Sequence, residues 1–128
     1  VGPDVAAAFA TLAGAAIPSA FGATLLKSVF AGWLIALMVW LLPSAHFSRL
    51  SIVLIITYVV ALARLSHIVA GSTEAAYAVL TGLHGFGAYV VDFLAPTLIG
   101  NTIGGVALVA LLNHGSIVSE LAEEARGQ

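Results

Sequence analysis

Residues 64–74, RLSHIVAGSTE, interrupt the second apolar run of the chain with polar and small side chains. The run before them, residues 50–63, has 14 positions. At about 1.5 Å per residue these positions make about 21 Å of helix, which is short of the roughly 30 Å of hydrocarbon in a bilayer. Helical composition resumes in residues 74–82. The two pieces together have the length of one crossing, so the sequence predicts a spanning helix that is broken near its middle.

The overall composition is that of a membrane protein. The 128 residues are 61% hydrophobic and 8% charged, with a mean hydropathy of +1.11, whereas about a quarter of the residues in a soluble domain are charged. The net charge of -2 and the scattered Lys and Arg residues offer no basic face, so we exclude nucleic acid as a partner. Without cysteine there is no thiolate metal site, and we expect neither a metal nor a cofactor.

Two further apolar runs of spanning length flank the interrupted one. The sequence therefore predicts an all-α membrane protein with three spans, the middle one discontinuous, in a transmembrane half-domain over residues 21–114. The predicted segments are an interfacial helix or inter-repeat connector (1–20), a first span (23–42), the discontinuous span (50–66 and 73–82), a third span (93–113) and a polar C-terminal tail (115–128).

The break in the second span is a candidate binding site. Irregular backbone inside a bilayer is tolerated only where it is buried in protein or faces a water-filled cavity. Gly71 permits a break, and Ser72, Thr73 and Glu74 read as the start of a new helix, with Ser72 as its cap. The N-terminus of that half-helix would carry partial positive charge and favour an anion. We therefore expect Ser72 and Thr73 to line a substrate pathway.

His67 lies just before this predicted helix start. A histidine titrates near pH 6.5, so it can attract an anion when protonated or both donate and accept a hydrogen bond when neutral. A structural, hydrogen-bonded role is the alternative. No metal site is expected, because neither Ala63 nor Gly71, which stand at helical spacing from His67, is a ligand.

The third span carries the motif GNTIGG at residues 100–105. Gly100 and Gly104 form a GxxxG pair, which lets another helix backbone approach closely, and Ala107 extends the small face by one turn. Gly105 is a further candidate for helix packing. Asn101 stands within this motif, and a carboxamide in hydrocarbon is costly unless it has a partner or lines a polar path. We expect the glycines to serve helix packing and Asn101 to lie near the pathway.

Three segments together resemble the C-terminal half of the formate/nitrite transporter family. They are WLIALMVW, LSHIVAGSTE and LIGNTIGGVALVALLNH, and the resemblance covers residues 20–114. It implies half of an aquaporin-like inverted-repeat fold, located in a bacterial inner (plasma) membrane and assembled as a homopentamer in the lipid bilayer. It also implies transport of small monovalent anions such as formate, nitrite, hydrosulfide or lactate. The N-terminal repeat of the family has no counterpart in this sequence.

The resemblance also implies roles for single residues. His67 matches the central pore histidine, and Asn101 matches the last-span asparagine near the pore. Val60 stands where many members have a constricting phenylalanine, Ser66 where an acidic residue is common, and Gly71 where asparagine is common. These departures indicate a divergent branch and leave the identity of the anion open.

Two functions remain as hypotheses from the sequence. The first is a channel or proton-coupled transporter for small monovalent anions, present here as its C-terminal half. The alternative is a non-conducting membrane subunit or helix-packing module, in which His67 is a structural donor. An enzyme is not expected, because His67 has no paired nucleophile or second carboxylate at convincing spacing.

Overall fold

The computed structural model describes the backbone of residues 2–17 and 20–126, and their side chains except those of Ala16 and residues 116–126. Every regular element in these residues is helical, so the all-α prediction is confirmed for the described part of the chain. The elements are α1 (Pro3–Ala16), α2 (Phe21–Leu41), α3 (Arg49–Leu62), α4 (Ile68–Leu80), α5 (Phe86–Ala88), a π-helical segment (Tyr89–Leu94) and α6 (Ala95–Arg126).

Two of the described helices are long and apolar enough to cross a membrane. They are Phe21–Leu41, with 21 residues, and the continuous helix Phe86–Gly115, with 30 residues. Between them lie two shorter apolar helices, α3 with 14 residues and α4 with 13 residues. The second apolar run is thus interrupted, as its length and its polar stretch indicated.

The two long helices pack closely against each other. The buried positions of α2 are small residues, namely Thr24, Ser28, Ala31 and Gly32. The Ser28 hydroxyl donates to the Thr24 carbonyl at 2.6 Å, so its polarity is satisfied within its own helix. Small, internally satisfied side chains let two backbones approach each other, as is common in membrane helix pairs.

A second interface joins α1 to α4. Ala13 of α1 and the following Ile17 form a small core with Ala75 and Ala78 of α4 and with Phe93. All five residues are at most 7% exposed. This core packs α4 between α1 and the π-helical segment. Of the predicted connector 1–20, positions 1, 18 and 19 lie outside the described residues.

The third span begins earlier than the sequence indicates. The sequence predicts a start at residue 93, whereas the helix already begins at Phe86 and passes through the π-helical segment. Pro96 has no N–H to donate, and the wider turn before it pairs the Ala95 N–H with the Val90 carbonyl. At the other end α6 runs to Arg126, through most of the predicted tail 115–128, and residues 127 and 128 lie outside the described part.

Candidate functional site at the helix break

The break begins with a tight turn at the end of α3. The Leu65 N–H donates to the Val60 carbonyl at 3.0 Å, and the Arg64 N–H donates to the Ala61 carbonyl at 3.1 Å. These two bonds define a Schellman motif, which satisfies the last carbonyl groups of a helix. Arg64 occupies the left-handed position of the motif, with φ of 48°. The motif ends α3 at Leu62 and turns the chain away from the helix axis.

The second half-helix begins at Ile68, directly after His67. His67 has extended backbone angles, with φ of −116° and ψ of 131°, and makes no capping hydrogen bond with its side chain. Its carbonyl accepts the first bond of α4, from the Gly71 N–H at 2.9 Å. The N–H groups of Val69 and Ala70 have no intrahelical partner by general helix geometry, and both residues are exposed.

A single side chain from α6 holds the break together. The Asn101 Oδ1 accepts the Ile68 N–H at 2.9 Å. The Asn101 Nδ2 donates to the Ser66 carbonyl at 3.0 Å and to the Ser28 carbonyl of α2 at 2.9 Å. Both N–H groups of this carboxamide are thus used by backbone carbonyls. Asn101 therefore connects α2, the loop and the first turn of α4, and we name this set of three bonds the Asn101 clamp.

The close packing of α2 and α6 brings the Asn101 side chain next to α2. A Cβ atom added at Gly32 would lie 2.7 Å from the Asn101 Cα, so no side chain fits there. Sequence reasoning missed both Gly32 and Ser28, whose carbonyl takes part in the clamp. They stand four residues apart in the first span, at the small-xxx-small spacing of close helix pairs. This signal was available in the sequence.

The predicted half-helices at 50–66 and 73–82, with Gly71 in the break between them, differ from the structure, in which α3 ends at Leu62 and α4 begins at Ile68. The break covers the residues between Leu62 and Ile68, and Gly71 lies inside α4. Gly71 instead provides space, because a Cβ atom there would lie 2.7 Å from the Phe93 Cζ. The predicted cap at Ser72 is also wrong, because the partner for the N-terminal backbone comes from Asn101.

The structure brings only some of the predicted pathway residues together at the break. His67 and Ser66 are half-buried in the loop, and Val60 is half-buried in the last turn of α3. The imidazole of His67 makes no hydrogen bond within the described part of the chain. Ser72 is half-buried and Thr73 is exposed, and both lie in α4 beyond its first turn. Of the predicted pathway residues, Ser66 and His67 therefore lie in the break itself, and Val60 lies in the turn of α3 before it.

The glycines of the third span differ in their surroundings. A Cβ atom at Gly100 would lie 2.6 Å from the Leu25 carbonyl oxygen, and one at Gly104 would lie 2.9 Å from the Trp33 nitrogen. At Gly105 the nearest atom would be the Gly32 carbonyl oxygen at 4.0 Å. Gly100 and Gly104 are thus at the tight contact with α2, whereas Gly105 has room for a Cβ atom beside α2, and its predicted packing role stays a prediction. Within the described residues, no group of three or more His, Cys, Asp or Glu side chains is arranged to hold a metal ion.

The role of Gly71 is tested by substituting it. We expect Gly71→Ala to lower the free energy of unfolding by about 1–2 kcal/mol, because the new methyl group pushes the buried Phe93 ring out of position. Thermal unfolding in detergent measures this change. The double variant Gly71→Ala, Phe93→Leu should be less destabilised than the sum of the two single variants, since the smaller side chain makes room. Additive losses would contradict the contact.

Comparison with known proteins gives two matches. Residues 2–115 match the sequence profile of the family described as formate/nitrite transporter. Over 102 residues the chain is 34% identical to the inner membrane protein YfdC of Escherichia coli (strain K12). The matched region is 80% of this chain and 33% of that protein, so the chain spans about a third of the length of this curated relative. No solved structure matches the chain.

Proposed function

Because the chain belongs to the formate/nitrite transporter family, we propose that it forms the C-terminal half of a transmembrane pathway for small monovalent anions such as formate and nitrite. The observation that carries this proposal is the break between α3 and α4, where His67 precedes the N-terminus of the second half-helix.

The family itself confirms three expectations from the sequence. The resemblance is confirmed by the profile match and by the relative. The family is one of transporters and not of enzymes, so the chain is assigned no catalytic function. The relative is named as an inner membrane protein, which agrees with the predicted localisation in a bacterial inner membrane.

The proposed pathway passes the break between α3 and α4. An anion that enters from water loses part of its hydration at apolar side chains, of which Val60 is the candidate at the end of α3. The dehydrated anion then meets the N-terminus of α4, which is the positive end of the helix dipole. There the backbone N–H groups of the exposed residues Val69 and Ala70 donate to it. His67, whose imidazole is not engaged by any described residue, is then available to donate a hydrogen bond or a proton. Proton donation converts the anion of a weak acid into a neutral form that crosses more easily.

The other predicted site residues take supporting roles in this proposal. Ser66 flanks His67 in the loop and offers its hydroxyl to the pathway. Ser72 and Thr73 lie further along α4, where they line the continuation of the pathway. Asn101 acts as a positioning residue, because both of its N–H groups are already used by backbone carbonyls.

The wider architecture is part of the proposal. We propose that α3 and α4 together form one discontinuous span between α2 and α6, which makes three spans in all. This arrangement is half of an aquaporin-like inverted-repeat fold, and the complete protein would assemble as a homopentamer. The support for the third span is the summed length of α3 and α4, which are 14 and 13 residues long and make about 40 Å of helix at about 1.5 Å per residue.

The proposal is tested by anion flux through the complete protein in liposomes. We expect His67→Ala to lower formate and nitrite flux about tenfold or more, because a hydrogen bond to an ion is worth about 1.5–3 kcal/mol and tenfold corresponds to about 1.4 kcal/mol. The matched control is His46→Ala, which removes an exposed histidine between α2 and α3. Equal flux in wild type and His67→Ala would remove the histidine from the mechanism.

A non-conducting role has one observation in its favour. Asn101 bonds only to backbone groups, and Gly100 and Gly104 contact α2, so the GNTIGG motif serves helix packing. In this second proposal the chain is a structural membrane subunit. The absence of formate and nitrite flux in liposomes that contain folded, assembled wild-type protein would favour it.

A further inference from the structure

Arg64 carries a positive charge at the break of the apolar helix. It lies two residues after the end of α3 and three residues before His67. Its side chain is exposed, and it forms no hydrogen bond or ion pair through its guanidinium within the described part of the chain. The pathway proposed above does not use this charge.

The backbone at Arg64 adopts a conformation that suits glycine. Its φ of 48° lies in the left-handed region, where the Cβ atom of an L-residue crowds the following carbonyl. The end of α4 repeats the same motif, with Leu83 N–H bonded to Ala78 O at 2.9 Å and Gly82 N–H bonded to Val79 O at 3.1 Å. There the left-handed position is occupied by Gly82, with φ of 74°. At the break, the chain thus has an arginine where its own second example of the motif has a glycine.

The position of Arg64 adds a second energetic cost. It lies at the far end of a 14-residue apolar helix that begins at Arg49, which is about 20 Å along the helix axis. In the discontinuous span proposed above, a charge at this point is unfavourable unless it faces a water-filled cavity or a counter-charge. Backbone strain and a charge within the proposed span are together typical of a functional residue.

We propose that Arg64 is a specificity-determining residue that binds the permeating anion at the break, next to His67 and the N-terminus of α4. This inference rests on the function proposed above and names its substrate class more narrowly. The guanidinium is a planar fork whose N–H groups match two oxygens of one planar anion. Arg64 therefore favours anions with two oxygens on one centre, such as formate and nitrite, over spherical anions such as chloride.

Three substitutions of Arg64 test separately the effects of its positive charge, of its forked guanidinium and of its left-handed backbone conformation. Arg64→Gly removes the charge and the strain together, and Arg64→Asn removes the charge with a residue that tolerates the left-handed region. Arg64→Lys keeps the charge and the strain but replaces the fork with a compact ammonium group. Each variant of the complete protein is reconstituted in liposomes, and the flux of formate, nitrite and chloride is measured at low and high ionic strength.

We expect Arg64→Gly and Arg64→Asn to lower formate and nitrite flux about tenfold at low ionic strength, with a smaller loss in high salt, because fixed charges raise local anion concentration and salt screens them. Arg64→Lys should keep formate flux within about threefold of wild type and lower the ratio of formate to chloride flux. The unfolding temperature of Arg64→Gly should be unchanged or higher, since the strain is removed.

Each contrary result identifies what is wrong. Unchanged formate flux in Arg64→Gly and Arg64→Asn, with an active wild type, overturns this inference and leaves the proposed function intact. A lower unfolding temperature for Arg64→Gly also overturns it, because the guanidinium would then hold a structural contact in the assembly. An unchanged ratio of formate to chloride flux in Arg64→Lys overturns the proposed preference for anions with two oxygens on one centre. A wild type without formate flux overturns the proposed function and this inference together.

Discussion

Replacing Asn101 with alanine is expected to lower the free energy of unfolding by roughly 3 kcal/mol or more, because three backbone groups lose their partner at about 1–3 kcal/mol for each unsatisfied group. These groups are the Ile68 N–H and the carbonyls of Ser66 and Ser28. All three bonds are 2.9–3.0 Å long and part-buried, and lipid offers no replacement partners. Thermal unfolding of the complete protein in detergent measures the loss.

Two controls show whether the Asn101 clamp causes that loss. Thr102→Val changes the neighbouring position, whose exposed hydroxyl donates only to the Leu98 carbonyl of its own helix at 2.8 Å. Ser66→Ala keeps the carbonyl that Asn101 binds. Both controls should stay within about 0.5 kcal/mol of wild type, as is usual for substitutions away from such features. Equal free energies of unfolding for Asn101→Ala and Thr102→Val would show that the Asn101 clamp does not stabilise the break.

Asn101 and His67 should also differ in which property they control. Asn101 holds the first turn of α4 in place, so its loss is expected to lower both stability and anion flux. The imidazole of His67 has no hydrogen-bond partner among the described residues, so its loss is expected to lower flux with little change in unfolding temperature. This contrast separates a positioning residue from a residue that contacts the anion.

The existence of the break could be predicted from the sequence because it depends on length and composition. A run of 14 apolar residues followed by polar ones cannot cross a bilayer as one regular helix. The long apolar runs that became α2 and α6 were identified by the same argument. These features are local, so they can be read without knowledge of the neighbouring helices.

The position of the break could not be predicted from the residues around it, because the side chain that holds it in place is distant in sequence. Serine is a common capping residue, which led to the predicted helix start at residue 73, yet α4 starts five residues earlier, at Ile68. Its N–H is bonded by Asn101, 33 residues further along the chain, so the usual signal of a capping residue is missing from the sequence just before the helix. Gly71 resembled a helix breaker and instead makes space for Phe93.

The candidate site was predicted in part for the same reason. His67 was identified because a histidine beside a helix break is unusual in an apolar chain. The family resemblance implied only that Asn101 lies near the pore, whereas its bond to the Ser28 carbonyl requires the packing of α2 on α6. The left-handed backbone of Arg64 gave no sequence signal, since glycine or asparagine is the usual residue in that conformation.

Gly104→Ala is expected to destabilise the packing of α2 on α6 by about 3 kcal/mol, at the upper end of the cost of overpacking. The added Cβ would collide with the Val29 carbonyl oxygen and would lie 2.9 Å from the Trp33 nitrogen. Both atoms belong to backbone, which cannot rotate away as a side chain does. The helices must therefore separate, which also strains the bond between Asn101 and the Ser28 carbonyl.

The neighbouring glycine gives the matched control for this substitution. A Cβ at Gly105 would meet only the Gly32 carbonyl oxygen at 4.0 Å, which is an ordinary contact. Gly105→Ala makes the same chemical change in the same helix, and it should be neutral or slightly stabilising because alanine is the better helix former. Thermal unfolding of both variants of the complete protein in detergent tests the difference. Equal unfolding temperatures would mean that α2 and α6 are not in close contact at Gly104, and the placement of Asn101 by that contact would then be wrong as well.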